Sequence, residues 1–251
     1  LAAAKKLKGG AELTEELFFQ AQALELIRAR LPLDKGLLGF VGGPLTLFCY
    51  AVEGRHQGQL DSARKGLNDG RYAAFFEKLK DLLIENMVIQ ARAGATSVAI
   101  LDTCAGEFDC TTYRDQLVPS LKMVVEGFKA RCPGFPVVYY SKGTGPDHWD
   151  HLQGLPLDGL GIDWRNDLPH ALLKYGSRWS IQGNVDPHWF FLESAELEVR
   201  LRSVFNSVKN LPAECRKGWV CGLGHGVLPK TPEAHVRLFL LLQKEFFPES
   251  S

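Results

Sequence analysis

The residues best placed for chemistry follow short apolar segments of the chain. These segments end in a glycine or a polar residue, namely Gly42, Thr103, Lys142, Asp163, Asn184 and His225. If the segments are parallel strands, their ends meet on the face where a barrel enzyme builds its active site. His225 is the best candidate for a functional residue, because Gly224 and Gly226 on its two sides allow a close approach of the backbone.

The other polar residues each have two interpretations. Asp163 and Asp186 resemble a carboxylate pair, but we expect them to bond loop backbone and hold the rim of a barrel. Lys142 is suited to meet the carboxylates of a substrate, although such a lysine is more often solvated. The Thr103 hydroxyl is suited either to bind a ligand or to cap the next helix. The residues alone leave these alternatives open.

The elements that must position these residues alternate along the chain. Strands are predicted at residues 36–41, 97–103, 136–141, 159–164, 179–184 and 218–223. Apolar residues at helical spacing predict helices at 12–31, 71–93, 112–131, 147–153, 167–175, 193–210 and 232–246. Strands that are apolar on both faces and alternate with helices indicate a parallel sheet.

The polar strand ends favour a closed barrel over an open nucleotide-binding sheet. An open sheet of that kind would carry G-x-G-x-x-G after the first strand or a G-x-x-x-x-G-K-[ST] loop, and the sequence has neither. We therefore predict an α/β fold of the (β/α)8 TIM-barrel type. About six of the eight βα units are recognisable. No linker interrupts them, so we predict one partial barrel domain over residues 1–251.

Composition narrows the class of partner. The formal net charge is +0, with 29 basic and 29 acidic residues, so no overall basic field draws in nucleic acid. No apolar run approaches the roughly 20 residues that span a bilayer. The six cysteines lack C-x-x-C spacing and are interpreted as reduced thiols. Composition thus predicts a cytoplasmic protein that binds neither nucleic acid nor membrane.

A series of motifs at the predicted strand ends carries a family resemblance. In chain order they are GFVGGPLTLFCYAVEG (39–54), ILDTCAG (100–106), YYSKG (139–143), GLGIDW (159–164), IQGNVDP (181–187) and GLGHGVLPKTPEAHV (222–236). Together they resemble the uroporphyrinogen decarboxylase family over roughly residues 12–246. Any one motif is weak, but the ordered set is specific.

The resemblance implies a function and a set of substrate-binding residues. The family removes CO2 from the four acetate arms of uroporphyrinogen III to give coproporphyrinogen III in haem biosynthesis, without a cofactor or metal. By resemblance, Tyr50 presents its hydroxyl to the substrate, Thr103 bonds a substrate carboxylate, and His225 lies at the end of the last strand. Phe40 belongs to the first motif and is expected to supply an apolar wall.

Two features of the family do not occur in this sequence. The family's R-Q-A-G-R motif and its pyrrole-binding Asp do not occur in the 251 residues. Both belong to the first two βα units, so we expect the N-terminal third of the family fold to be missing and this chain alone to be inactive. No catalytic residue is therefore assigned with certainty. The family implies a homodimer.

Two other functions compete with a decarboxylase. The chain could be a non-catalytic relative or a truncated remnant that keeps the fold without turnover. It could also belong to the cobamide-dependent methyltransferases of the same superfamily, which bind zinc through H-x-C and a distant Cys. No histidine here is followed two residues later by a cysteine, which disfavours that branch.

Overall fold

The strands and helices of a computed structural model follow the alternation that the sequence predicts. The structure describes residues 15–54 and 59–248. The strands in those ranges are β1 (Leu38–Gly42), β2 (Ser97–Asp102), β3 (Val137–Ser141), β4 (Gly159–Gly161), β5 (Ser180–Val185) and β6 (Val220–Leu223). Every strand pairing described below is parallel, and the βα alternation is that of a partial TIM barrel.

Helices follow the strands as expected for this fold. Those of eight residues or more are α1 (Phe18–Arg30), α2 (Pro44–Glu53), α3 (Asp61–Asn68), α4 (Arg71–Arg92), α5 (Val118–Arg131), α6 (Leu168–Tyr175), α7 (Ser194–Lys209) and α8 (Glu233–Phe246). Shorter helical segments are Glu15–Leu17, Ala105–Glu107, Cys110–Thr112, Tyr113–Leu117, Pro146–Trp149, Asp150–Leu152, Pro187–Phe191 and Ala213–Arg216. No helix within the described ranges is long and apolar enough to cross a membrane.

Contacts divide the chain into two compact units, Leu1–Asp158 and Gly159–Ser251. In the first unit, β2 lies between β1 and β3, with Phe40 opposite Ala99 and Ile100 opposite Tyr139. The face of this sheet that carries Val98, Ile100 and Tyr139 is fully buried, since each of these side chains is 0% exposed. Helix α4 packs against α5 and against β1.

The side of β1 away from β2 is occupied by a side chain of α4. Gln90 Oε1 accepts a hydrogen bond from the Phe40 backbone N–H at 2.8 Å, and Gln90 Nε2 donates to the Phe40 carbonyl at 2.9 Å. The Gln90 side chain is buried, and Gly39 leaves the space for it, because a Cβ there would lie 2.5 Å from Oε1. The amide thus makes the two hydrogen bonds that a neighbouring strand would make.

In the second unit, β5 lies between β4 and β6. Its apolar core joins the end of β5 to α7 and α8 through Val185, Phe190, Leu197, Leu201, Phe205, Phe239 and Leu242. Trp219, which precedes β6, packs against the ring of Phe205 and donates its indole N–H to the Gly183 carbonyl at 2.7 Å. The start of β6 is therefore tied to β5 on one side and to α7 on the other.

Candidate functional site

Phe40, Tyr50 and Thr103 all belong to the first unit. Phe40 lies in β1, Thr103 directly follows β2, and α2, which carries Tyr50, begins just after β1. Because β1 and β2 are parallel, Thr103 and the start of α2 are at the same edge of the sheet. The side chains of Phe40 and Tyr50 are 63% and 44% exposed, unusual for aromatic residues and compatible with contact to a ligand. Their role as substrate contacts stays a prediction.

A buried polar network fixes the backbone on both sides of Thr103. Asp102, at the end of β2, accepts hydrogen bonds from the Thr46 backbone N–H at 3.0 Å and from the Thr46 hydroxyl at 2.5 Å. The same hydroxyl accepts a hydrogen bond from the Cys104 backbone N–H at 3.0 Å. Thr46 lies in the first turn of α2, so this network ties the helix that carries Tyr50 to the segment that carries Thr103.

Sequence reasoning missed this network, although one signal pointed to it. Asp102 is a carboxylate inside the apolar run SVAILDT, and a buried charged group needs partners. Gly43 is part of the same arrangement, because a Cβ there would lie 2.4 Å from the Asp102 carboxyl carbon. Thr103 caps neither of the two helical segments that follow it: Ala105–Glu107 has Cys104 at its N-cap with no side-chain hydrogen bond, and Asp109 caps Cys110–Thr112.

The carboxyl of Asp102 makes stability depend on pH. Burial raises its pKa from 3.8 to about 6, and the hydrogen bonds from Thr46 only partly oppose this. Between these two values the folded carboxyl keeps its proton while the unfolded one loses it, so rising pH favours unfolding. Relative to Asp102→Asn, we expect the free energy of unfolding of the wild type to fall by about 2 kcal/mol between about pH 4.5 and 7.

Urea denaturation at each pH measures that difference. Asp109→Asn is the control, because hydrogen bonds from Thr112 lower the pKa of this exposed carboxyl. Relative to Asp109→Asn, the free energy of unfolding of the wild type should not fall over this pH range. Equal pH dependence of the wild type and Asp102→Asn would contradict the raised pKa of Asp102.

The loops that follow β2 and β3 touch through a glycine of the ILDTCAG motif. The Gly106 backbone N–H donates to the Lys142 carbonyl at 3.0 Å. A Cβ on Gly106 would lie 2.5 Å from that carbonyl oxygen, so the loops can approach this closely only with glycine there. The contact places the half-buried Lys142 beside the loop that begins at Thr103.

In the second unit, the two aspartates hold loops, as expected from the sequence. The fully buried Asp163 carboxylate accepts hydrogen bonds from the backbone N–H and the guanidinium of Arg165, at 3.0 and 2.7 Å. Asp186 accepts from the backbone N–H of His188 and contacts its ring Nδ1, both at 2.9 Å. The Asn184 side chain also bonds the loop after β4, donating to the Asp163 carbonyl at 2.9 Å.

Trp164 lies at the centre of what we call the Trp164 cluster, formed with Arg165, His188 and His225. The Arg165 guanidinium carbon is 4.4 Å from the indole centroid. The rings of His188 and His225 meet the indole edge-on, with centroids 5.9 and 6.3 Å away. Sequence reasoning named His225 as a candidate functional residue and missed Trp164 and His188, because it did not weigh aromatic residues at strand ends.

Gly224 brings His225 to this position. A Cβ on Gly224 would lie 2.4 Å from the Trp164 backbone nitrogen, so the segment that follows β6 lies directly against the segment that follows β4. On the other side of His225, a Cβ on Gly226 would meet nothing within 4 Å. Both glycines allow a close backbone approach, and the structure shows one at Gly224. The His225 side chain is exposed, and its Nδ1 lies 3.4 Å from the Gly226 carbonyl.

Comparisons with known proteins agree with the motifs. Residues 1–246 match the family model described as uroporphyrinogen decarboxylase (URO-D). The chain is 30% identical over 227 residues to uroporphyrinogen decarboxylase 1, chloroplastic, of Oryza sativa subsp. japonica, covering 90% of this chain and 55% of that protein. It is 30% identical over 238 residues to the uroporphyrinogen decarboxylase of Nautilia profundicola, covering 92% and 66%.

Solved structures support the fold. A methyltransferase from Methanosarcina mazei superimposes with a TM-score of 0.68 at 18% identity, over 90% of this chain and 64% of that one. A B12-independent methionine synthase from Shewanella sp. gives a TM-score of 0.59 at 14% identity, over 90% and 67%. The chain spans between about half and two thirds of the length of the two uroporphyrinogen decarboxylases from Oryza and Nautilia. Because the family model matches residues 1–246 of its 251, the chain belongs to the uroporphyrinogen decarboxylase family.

Proposed function

We propose that this chain forms part of the substrate site of a uroporphyrinogen decarboxylase, in which Phe40, Tyr50, Thr103 and His225 contact uroporphyrinogen III. The observation that carries the proposal is the Asp102–Thr46–Cys104 network, which fixes the segment of Thr103 and the helix of Tyr50 at one edge of the sheet. This network supports the assignment of Thr103 and Tyr50 as substrate contacts, and the contact of the His225 ring with Trp164, at 6.3 Å between centroids, supports that of His225.

The chemistry explains the choice of residue types. Loss of CO2 from an acetate arm leaves a carbanion, and a pyrrole ring protonated on carbon can itself accept those electrons, so the proposal includes no cofactor. The protein then has to bind carboxylates, donate protons and stabilise a cationic ring. In the proposal, the hydroxyls of Thr103 and Tyr50 donate hydrogen bonds to the substrate, the His225 ring is a further donor, and Phe40 provides apolar contact.

The family's Asp and R-Q-A-G-R arginines, which serve the ring cation by resemblance, do not occur in these 251 residues. We therefore expect this chain, assayed alone, to bind substrate with negligible turnover. A homodimeric assembly and a cytoplasmic location belong to the same proposal and rest on the likeness to the family.

Replacing Thr103 by valine is expected to weaken binding of uroporphyrinogen III about tenfold. A hydrogen bond to a charged group contributes about 1.5–3 kcal/mol, and 1.4 kcal/mol corresponds to a factor of ten. Thr103→Ser keeps the hydroxyl and should bind nearly as well as the wild type. Calorimetric titration under anaerobic conditions measures the dissociation constants, and chromatography of the porphyrin products measures turnover.

Two results would contradict the proposal. One is the absence of saturable binding by the wild type, and the other is binding that does not weaken as salt is added, because an octacarboxylate binds partly through charge. Substantial turnover by the 251 residues alone would show that proton donors within this chain suffice.

A further inference from the structure

The Trp164 cluster gathers hydrogen-bond donors around one aromatic ring. The Arg165 guanidinium lies over the Trp164 ring, and the rings of His188 and His225 contact it at interplanar angles of 63° and 86°. The three come from different places in the second unit: after β4, after β5 and after β6. Side chains from the ends of three parallel strands converge on one aromatic ring, which is the arrangement expected of a binding site.

Each donor is held in place by an interaction that leaves part of the side chain accessible. The Arg165 guanidinium donates through Nη1 to the fully buried Asp163, while 53% of its side chain is exposed. His188 contacts Asp186 through Nδ1, and its side chain is 61% exposed. His225 follows Gly224, whose backbone rests against that of Trp164. These contacts hold the three residues around the indole.

The geometry of Arg165 suits a carboxylate. The Nη1 atom of Arg165 is held by Asp163, and the planar guanidinium carries further N–H donors, which suit the oxygens of a carboxylate. Imidazole N–H groups add further donors, and the indole offers apolar surface to the carbon chain that bears the carboxylate.

We propose that Arg165, His188 and His225 form a carboxylate subsite around Trp164, which takes one carboxylate arm of the ring substrate. This inference rests on the proposed function and deepens it by naming a residue pair, Arg165 and His188, that the family motifs do not mark. The substrate carries such groups on acetate and on propionate arms, and the shared chemistry is a carboxylate on a short aliphatic chain.

The test measures dissociation constants of uroporphyrinogen III and coproporphyrinogen III for matched variants. Arg165→Gln and His188→Gln are each expected to weaken uroporphyrinogen III binding, Arg165→Gln by about tenfold. Weakening of both ligands assigns the subsite to a propionate arm, and weakening of uroporphyrinogen III alone assigns it to an acetate arm. Both results support the subsite.

The same unit supplies the controls. Arg178 is exposed, and its guanidinium carbon lies 5.3 Å from the centroid of the Trp179 ring. Arg178→Gln therefore removes a similar cation from a similar aromatic ring. His170→Gln is the matched control for His188, since His170 is also exposed. Both controls should bind as the wild type does.

Folding of the variants is checked by circular dichroism, because Arg165→Gln removes the guanidinium that donates to the buried Asp163. His188→Gln, at an exposed position, keeps the test decisive if Arg165→Gln fails to fold. Wild-type affinity in His188→Gln and in any folded Arg165→Gln, with Thr103→Val still impaired, would overturn the subsite and leave the proposed function standing. No binding by the wild type would overturn both.

Discussion

Replacing Thr46 by valine is expected to lower the free energy of unfolding by about 4 kcal/mol. The Thr46 hydroxyl donates to the buried Asp102 carboxyl and accepts from the Cys104 backbone N–H, so valine leaves both groups short of a partner in the core. Thr46 is 5% exposed and Asp102 is 0% exposed, and water cannot replace the hydroxyl without opening the structure. Urea denaturation of the purified variant measures the loss.

The variant Thr46→Ser distinguishes the contribution of the hydroxyl to stability from that of the methyl group. Serine keeps both hydrogen bonds and loses one buried methyl, so its expected cost is about 1 kcal/mol. A valine variant as stable as the serine variant would show that the hydroxyl contributes little. The network would then be irrelevant to how Thr103 is positioned.

Replacing Gly224 by alanine is expected to cost about 3 kcal/mol of stability and to move His225 away from Trp164. The added Cβ would lie 2.4 Å from the Trp164 nitrogen and 2.9 Å from the Asp163 carbonyl carbon. Both are backbone atoms, which cannot move away by a rotamer change as the end of a flexible side chain can. The variant should unfold at lower urea concentration and bind uroporphyrinogen III more weakly than the wild type.

Gly226→Ala is the matched control, two residues away on the other side of His225. An added Cβ there meets nothing within 4 Å, so stability and binding should stay close to those of the wild type. Equal losses in the two variants would mean that flexibility around His225 matters and that the contact with Trp164 does not.

The parts of the fold predicted best are those in which local pattern and tertiary structure agree. The helix predicted at 71–93 is found at Arg71–Arg92, because apolar residues recur at helical spacing throughout it. The strand predicted at 159–164 ends at Gly161, because the Asp163 carboxylate accepts a hydrogen bond from the Arg165 backbone N–H and so stabilises a loop there. Helix Asp61–Asn68 was not predicted, being short and mostly polar.

The sequence located the candidate residues along the chain but did not reveal the contacts that hold them. The motifs located Thr103 and His225 at strand ends, where the structure has them. The partners that hold them were not found, because Thr46 and Asp102 are 56 positions apart and no local pattern links them. Trp164 was quoted within a motif, but its place between a guanidinium and two imidazoles depends on the packing of separate strand ends.

The Gln90 amide decides what kind of strand can add to β1. A strand that approaches the side of β1 away from β2 must displace this amide, so it gains two hydrogen bonds to Phe40 and breaks two. Main-chain pairing at that position brings little net free energy, and an added strand has to gain its stability from apolar contacts with the exposed Leu38 and Phe40. The edge therefore selects strands by their side chains, and aggregation through indiscriminate strand addition is disfavoured.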